Sequence, residues 1–168
     1  MTALLQEYAT QQASRRPDAT ALAFKSERTT YGELERDSNR LANLLRESGV
    51  RRGDRVCMLM PKSTSAVIAM HGILKAGAIY VPLDPASPAP RLEKMITACD
   101  DRWILASGPV GRTLDTLFES EDFAAHHSLG WLGAGDPPAL ARPSFTWDDV
   151  IARPSFPIDP GTATHDPA

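Results

Sequence analysis

The chain has 168 residues, of which 42% are hydrophobic and 23% charged, so it is long enough for one buried core and is not disordered throughout. Its net charge is -3 and its basic residues are scattered, which predicts neither a nucleic acid nor a membrane as a partner. No stretch approaches the roughly 20 apolar residues that span a bilayer, and the first residues lack the pattern of a secretion signal, so a cytoplasmic location is expected.

The first predicted elements are a surface helix, a two-stranded hairpin and a second helix. Apolar residues at helical spacing place the surface helix over residues 2–14, and short strands at 21–24 and 29–31 flank a charged turn. Thr30 and Glu33 form a capping-box pattern that predicts the start of the second helix, and Gly49 is expected to end it. The buried stripe of this helix consists of Leu34, Leu41, Leu44 and Leu45.

A strand, a helix and a second strand are predicted between residues 55 and 82. Residues 55–60 are too continuously apolar for a strand with one wet face, which favours a parallel strand covered on both faces. Ser63 is expected to cap a helix that runs to Ala76, and Gly77 to end it in the left-handed conformation. A short strand over 78–81 stops at a proline. The predicted apolar stripe of the helix consists of Val67, Met70, Ile73 and Leu74.

Alternation of helix and strand continues with a helix from Ser87 and Pro88 through Ile96, and with a strand at 103–106. The fold class is therefore α/β, with three layers and a mostly parallel sheet joined by crossover helices. The strands at 56–60, 79–81 and 103–106 are expected to be parallel members of one sheet.

The character of the sequence changes at about residue 128, because seven of the 14 prolines fall in the last 41 residues. This segment is predicted to be irregular, with one short element near 145–151 and a frayed tail. The domain organisation expected from the sequence is an N-terminal α/β subdomain over 1–127 and a Pro/Gly-rich irregular segment over 128–168.

Two stretches carry a resemblance to a known family. "TTYGELERDSNRLANLLRESGVRRGDRV" at 29–56 and "ILKAGAIYVPLDPASPAPRLEKMI" at 73–96 resemble the first two sequence blocks of the adenylate-forming, or AMP-binding, enzymes. These include acyl-CoA synthetases, adenylation domains of nonribosomal peptide synthetases and luciferases. "RRPDATALAF" resembles the entry to the family's first strands. The resemblance implies an incomplete N-terminal subdomain of the acyl-adenylate synthetase fold.

Within that family, the "LKAG" and "YVPLDP" stretches are most similar to the peptide-synthetase branch, although some acyl-AMP and acyl-CoA ligases share them. Ser87 and Pro90 depart from the pattern of that branch, so the acid that would be activated stays open. Amino acids, aryl acids and fatty acids are not distinguished.

The resemblance implies a parent that uses ATP and magnesium to activate a carboxylic or amino acid as acyl-AMP. The acyl group then passes to the thiol of CoA or of a phosphopantetheinyl carrier protein. In the family, the phosphate loop, the acidic residues for magnesium and ribose, and the mobile lysine lie downstream of the region present here. No catalytic, cofactor-binding or metal residue is therefore assigned to this chain, which is expected to be an inactive fragment. The alternative is a non-catalytic truncated module used for protein interaction.

One turn has the placement of a phosphate-binding loop, since residues 107–113 follow a strand and precede a predicted helix. Its content is unfavourable, because the glycines Gly108 and Gly111 are closely spaced and Arg112 stands where a lysine is needed. Thr113 is the other candidate for contact with a phosphate in this turn. An ordinary turn is the favoured interpretation.

The remaining candidate residues are interpreted as structural. His126 and His127 are adjacent and would diverge, which is unfavourable for one metal site. His71 is expected to pack beside the apolar stripe of its helix. Three acidic residues lie close together in the sequence, namely Glu119, Glu121 and Asp122. A magnesium site is one interpretation of them, and a solvated helix face is the favoured one. Cys57 and Cys99 are expected to be reduced thiols.

Overall fold

A computed structural model describes residues 4–100 and 102–161. Thr2, at the expected start of the first helix, lies outside the described residues. The helices within them are α1 Leu5–Arg15, α2 Tyr31–Glu47, α3 Thr64–Lys75, α4 Ala89–Ala98, α5 Gly111–Phe118, α6 Glu121–His126 and α7 Trp147–Ile151. The strands there are β1 Thr20–Phe24, β2 Glu27–Thr30, β3 Arg55–Leu59, β4 Ile79–Pro82, β5 Trp103–Ala106, β6 Ser128–Trp131 and β7 Phe145–Thr146. None of the described helices is long and apolar enough to cross a membrane.

The chain forms two compact units. The first unit combines the described parts of Met1–Asp54, Lys62–Ile79 and Val150–Ala168. The second unit combines Arg55–Pro61 with Tyr80–Asp149.

In the first unit, β1 and β2 form the predicted antiparallel hairpin, with Phe24 opposite Glu27. The capping box that starts α2 is confirmed, because the Glu33 N–H donates to Thr30 Oγ1 at 3.2 Å and the Thr30 N–H donates to Glu33 Oε2 at 2.8 Å. Gly49 has a φ of +95°, the left-handed conformation expected where this helix ends.

Helix α3 begins and ends where the sequence predicts. The Ala66 N–H donates to the Ser63 hydroxyl at 3.1 Å, and Gly77 has a φ of +78°. The predicted apolar stripe is partly wrong, because Val67 and Met70 are only half-buried. A helix turns about 100° per residue. Four apolar residues therefore locate the centre of its buried face only to within about one residue position. The buried face is Ile68, Ala69, Gly72, Ile73, Leu74 and Lys75.

The second unit contains most of a five-stranded sheet with the order β4-β3-β5-β6-β7. Strands β3 and β5 pair in parallel, as do β5 with β6 and β6 with β7. Between β4 and β3, the N–H groups of Ile79 and Leu83 donate to the carbonyls of Asp54 and Met58, at 2.8 and 2.9 Å. These bonds advance in the same direction along both strands, so this pair is parallel too. The predicted parallel sheet is confirmed.

One face of this sheet packs against α4, α5 and α6. The strands contribute Cys57, Leu59, Ile104, Ala106, Leu129 and Trp131, and the helices contribute Leu92, Ile96, Leu114, Leu117 and Phe123. These side chains form a single buried cluster, which confirms the α/β class. The second helical layer stays a prediction.

The prediction of irregular structure from residue 128 is wrong at its start, because β6 is a fully buried strand between β5 and β7. Gly130 interrupts its apolar run, which removes the sequence signal for a strand. The glycine is required by its neighbours, since a Cβ there would lie 2.4 Å from Phe145 Cζ and 2.7 Å from Leu105 Cδ2. The element predicted near 145–151 is present as β7 and α7. A domain boundary after residue 127 stays a prediction.

Candidate functional site

Two backbone amides of the turn before α5 are already hydrogen-bonded. The Ser107 N–H donates to Leu59 O at 3.4 Å and the Val110 N–H donates to Gly108 O at 2.8 Å, while Pro109 has no N–H. A Cβ on Gly108 would lie 2.8 Å from the ring of Pro61, so this glycine is explained by packing. The Arg112 side chain is exposed at the start of α5. The interpretation of residues 107–113 as an ordinary turn stays a prediction.

His126 and His127 are occupied by contacts along their own helix. Nδ1 of His126 lies 2.7 Å from Asp122 O, and Nδ1 of His127 lies 2.9 Å from Phe123 O. The His127 ring also stacks on Phe123, with centroids 4.1 Å apart. An adjacent surface cavity of about 430 Å³ is lined by charges of both signs, including Arg102. Within the described residues, no three His, Cys, Asp or Glu side chains are grouped to hold a metal ion.

The predicted acidic cluster is explained by the start of helix α6. Glu121 and Asp122 lie in the first turn of that helix, where negative charge stabilises the positive end of the helix dipole. Ser120 caps the same end by accepting from the Phe123 N–H at 3.3 Å. Glu119 is exposed, as expected for a solvated face.

The cysteines and His71 occupy structural positions. Cys57 is buried in β3, Cys99 is partly buried at the end of α4, and neither is in a disulfide. Burial lowers the pKa of His71, and the positive charge of Lys75 lowers it further. The imidazole is therefore neutral at neutral pH, and its Nδ1 is buried without a hydrogen-bond partner among the described residues.

A buried polar cluster joins three helices of the first unit. Lys75 Nζ, at the end of α3, lies 2.7 Å from Glu35 Oε2 and donates to Asn39 Oδ1 at 2.8 Å. The carboxylate of Glu35 also accepts from Thr10 Oγ1 of α1 at 2.8 Å and from Asn39 Nδ2 at 3.2 Å. The Lys75 side chain is only 8% exposed and Glu35 19%. We call Thr10, Glu35, Asn39 and Lys75 the Lys75 cluster.

The charges in the Lys75 cluster are matched. Burial alone would raise the pKa of Glu35, but the hydrogen bond and charge of Lys75 outweigh this and hold the pKa below its usual range. Burial lowers the pKa of Lys75, and the Glu35 carboxylate opposes that shift. The short Nζ–Oε2 distance is that of a charge-assisted hydrogen bond. The cluster therefore satisfies a buried ammonium, and it presents no free base or nucleophile.

The chain after α7 is held against α2 by asparagine side chains. Asn43 Nδ2 donates to Pro154 O at 3.1 Å and to Phe156 O at 3.0 Å, and Asn39 Nδ2 donates to Ser155 O at 3.0 Å. Arg153 Nε lies 2.7 Å from Glu47 Oε2. We call residues 153–160 the outgoing strap. The predicted frayed tail is wrong for these residues.

Sequence reasoning did not find the Lys75 cluster or the outgoing strap. The available signals were Lys75 in "LKAG" and the asparagines in "SNRLANLL", which lie in the two stretches that resemble the family. In the structure the two stretches meet at the Lys75–Asn39 contact. The cluster thus explains why both stretches carry polar residues on faces that are otherwise apolar.

The parallel α/β sheet, the preceding hairpin and the meeting of the two sequence blocks define a region of an AMP-binding protein. The sequence matches the family described as AMP-binding enzyme over residues 9–152, which is most of the chain. The chain belongs to this family.

Relatives at the sequence level include several bacterial synthases. The chain is 41% identical to surfactin synthase subunit 2 of Bacillus subtilis over 130 residues, which is 71% of the chain and 4% of that protein. It is 37% identical to zwittermicin A synthase ZmaJ of Bacillus cereus over 137 residues, which is 81% of the chain and 26% of ZmaJ. Bacitracin synthase 3 of Bacillus licheniformis matches at 39% identity over 66% of the chain and 2% of its own length.

Solved structures show the same fold. A fatty acyl CoA synthetase of Mycobacterium tuberculosis superposes with a TM-score of 0.80 at 23% identity, over 96% of this chain and 30% of that one. The nonribosomal peptide synthetase FmoA3 superposes with a TM-score of 0.74 at 32% identity, over 99% of this chain and 16% of FmoA3. The chain thus spans less than a third of each of these structures, as it does of the sequence relatives.

Proposed function

We propose that this chain is the N-terminal part of an ATP-dependent adenylate-forming ligase. The parent activates a carboxylic or amino acid as acyl-AMP and transfers the acyl group to a thiol. The observation that carries the proposal is the family match over residues 9–152, in a chain that spans only a small part of its relatives. The meeting of the two sequence blocks at the Lys75 cluster supports it, because it shows that the blocks serve one folded region.

The substrate and partners of the parent follow from the same proposal. They are an acid, ATP with magnesium, and CoA or a phosphopantetheinyl carrier protein as the thiol. The likeness to the nonribosomal peptide synthetase FmoA3, at 32% identity, favours an amino acid and a carrier protein. A cytoplasmic location belongs to the proposal as well.

The chain by itself is proposed to be inactive. Adenylation requires the phosphates, the ribose and the carboxylate to be held together, because positioning and charge stabilisation supply much of the reduction of the barrier. The bonded amides of Ser107 and Val110 support this, because they leave fewer donors for a phosphate in the turn before α5.

Carboxylate-dependent exchange of labelled pyrophosphate into ATP tests the proposal, with amino, aryl and fatty acids offered in turn. We expect no exchange above background and no binding of magnesium-ATP in calorimetry, while an intact adenylating enzyme assayed in parallel is active. Exchange that disappears in Arg112→Ala would show that the chain is active and that the turn binds phosphate. An extension that adds only the next glycine-rich loop should stay inactive, because the ribose-binding and lysine groups expected from the family lie further on.

The reading frame beyond Ala168 distinguishes the two hypotheses, a part of a ligase and a truncated interaction module. A phosphate-loop sequence in the same frame supports the ligase. A stop codon in the genomic sequence supports the module.

A further inference from the structure

The outgoing strap is attached through its carbonyl oxygens. Prolines at 154, 157 and 160 have no N–H, so this segment is poorly suited to pair as a strand. Three successive carbonyls, those of Pro154, Ser155 and Phe156, each accept from an asparagine of α2. Asn39 and Asn43 are four residues apart on that helix, and so they share one face of it.

The two ends of the strap are also in contact with the first unit. At the N-terminal end, Arg153 pairs with Glu47 of α2. Near the C-terminal end, a Cβ on Gly77 would lie 2.6 Å from Pro160 O, so the strap passes directly over the turn that ends α3. The asparagine bonds therefore lie between two further points of contact.

Asn39 can hold the strap only if its amide has one orientation. Its Nδ2 must face Ser155 O, which places Oδ1 on the opposite side. Lys75 Nζ donates to that Oδ1 at 2.8 Å, and Glu35 Oε1 accepts from Nδ2 at 3.2 Å. A flipped amide would place two donors against each other at Lys75 and two acceptors against each other at Glu35. The buried ion pair thus selects the orientation that binds the strap.

We propose that Lys75 is a positioning residue for the outgoing strap. Its ammonium fixes the Asn39 amide with the donor side towards Ser155 O, while Asn43 holds the neighbouring carbonyls of Pro154 and Phe156 on α2. Asn43 Nδ2 also lies 2.9 Å from the backbone carbonyl of Asn39, which helix α2 itself holds in place. The lysine therefore acts on a segment about 80 residues further along the chain without touching it in any of these bonds.

The test is NMR relaxation of the whole chain, with Lys75→Met compared with wild type. In wild type, we expect backbone order parameters near about 0.85 at Ser155 and Phe156, equal to those of α2. In Lys75→Met, we expect a value below about 0.6 at Ser155, whose carbonyl is held by Asn39, while α5 stays unchanged. Lys94→Met is the matched control, because Lys94 is an exposed helical lysine on α4, and it should leave the strap ordered.

A second readout reports the amide itself. Asn39 and Asn43 are the only asparagines of the chain, so selective labelling gives two assignable pairs of side-chain N–H signals. We expect the Asn39 pair to show a contact with Ser155 in wild type and to lose it in Lys75→Met. A lysine needed only for helix packing would leave this contact in place in every variant that folds.

Two outcomes overturn the proposal. The first is an ordered strap in folded Lys75→Met, even if its melting temperature falls. The second outcome applies if Lys75→Met does not fold, and it uses the variant Asn39→Leu. This variant keeps Lys75 and Asn43 but removes the donor to Ser155. An ordered strap in Asn39→Leu refutes the proposal, because Asn39 is the residue through which Lys75 is proposed to act.

Discussion

Gly72→Ala places two known effects in opposition within the first unit. Gly72 lies in the interior of α3, where alanine is favoured over glycine by about 1 kcal/mol. The added Cβ would, however, lie 2.8 Å from Leu41 Cδ2, 2.9 Å from its Cγ and 3.0 Å from its Cβ. Leu41 is fully buried, and its Cβ cannot rotate away. Overpacking of this kind costs about 1–3 kcal/mol, so after the propensity gain we expect a net loss of up to about 2 kcal/mol.

Urea denaturation followed by far-ultraviolet circular dichroism measures this loss in the free energy of unfolding. Circular dichroism is required because Trp103, Trp131 and Trp147 all lie in the second unit, so tryptophan fluorescence reports that unit. Gly111→Ala is the matched control, since a Cβ there meets nothing within 4 Å. We expect this control to be neutral or slightly stabilising.

A double-mutant cycle identifies the clash as the cause. Leu41→Ala alone should cost about 2–5 kcal/mol, as for other buried leucines. In that background the contacts with Cγ and Cδ2 are gone and only the 3.0 Å contact with the Cβ of residue 41 remains, so Gly72→Ala should cost clearly less than in wild type, with a coupling of at least about 1 kcal/mol. Additive effects, or a stabilising Gly72→Ala in the wild-type background, would refute the packing argument.

Two further predictions concern the turn after α3 and the effect of pH. Gly77→Ala combines a φ of +78° with a Cβ 2.6 Å from Pro160 O, whereas Gly49→Ala has a φ of +95° and open space. Both should destabilise by about 1 kcal/mol from strain, and Gly77→Ala should cost more in urea denaturation; equal losses would contradict the strap contact. His71 has a lowered pKa in the folded chain. As pH falls below about 6.5, the unfolded chain therefore takes up a proton that the folded chain does not, and the free energy of unfolding falls. His71→Gln should flatten this decline between pH 7 and pH 5, measured against His126→Gln; identical slopes would refute the assignment.

Features that depend on a few neighbouring residues were predictable from the sequence. The structure contains the capping box of Thr30 and Glu33, the Ser63 cap and the left-handed Gly77. The two caps satisfy backbone N–H groups of nearby residues, and the glycine adopts a backbone angle that the turn itself requires. Each therefore depends only on a short stretch of the chain. The parallel sheet also followed, since the alternation of strands and crossover helices leaves few arrangements. The two sequence blocks indicated the family in the same way, as ordered local patterns.

Features that depend on distant neighbours were not predictable. Strand β6 contains Gly130, which weakens its pattern, and it is a strand because β5 and β7 pair with it on both sides. Lys75 stands in a last helical turn, where a basic residue is ordinarily solvated and stabilises the helix dipole.

The sequence by itself determined the helix ends, the class of fold and the membership of the AMP-binding family, because these rest on short stretches read in order. Only the tertiary structure decided that Lys75 is buried, that Glu35 and Asn39 satisfy it, and that residues 153–160 are held on α2. The bond from Asn39 to Ser155 joins positions 116 residues apart. No local pattern encodes such a bond, because it exists only once the helices have packed and the chain has returned to them.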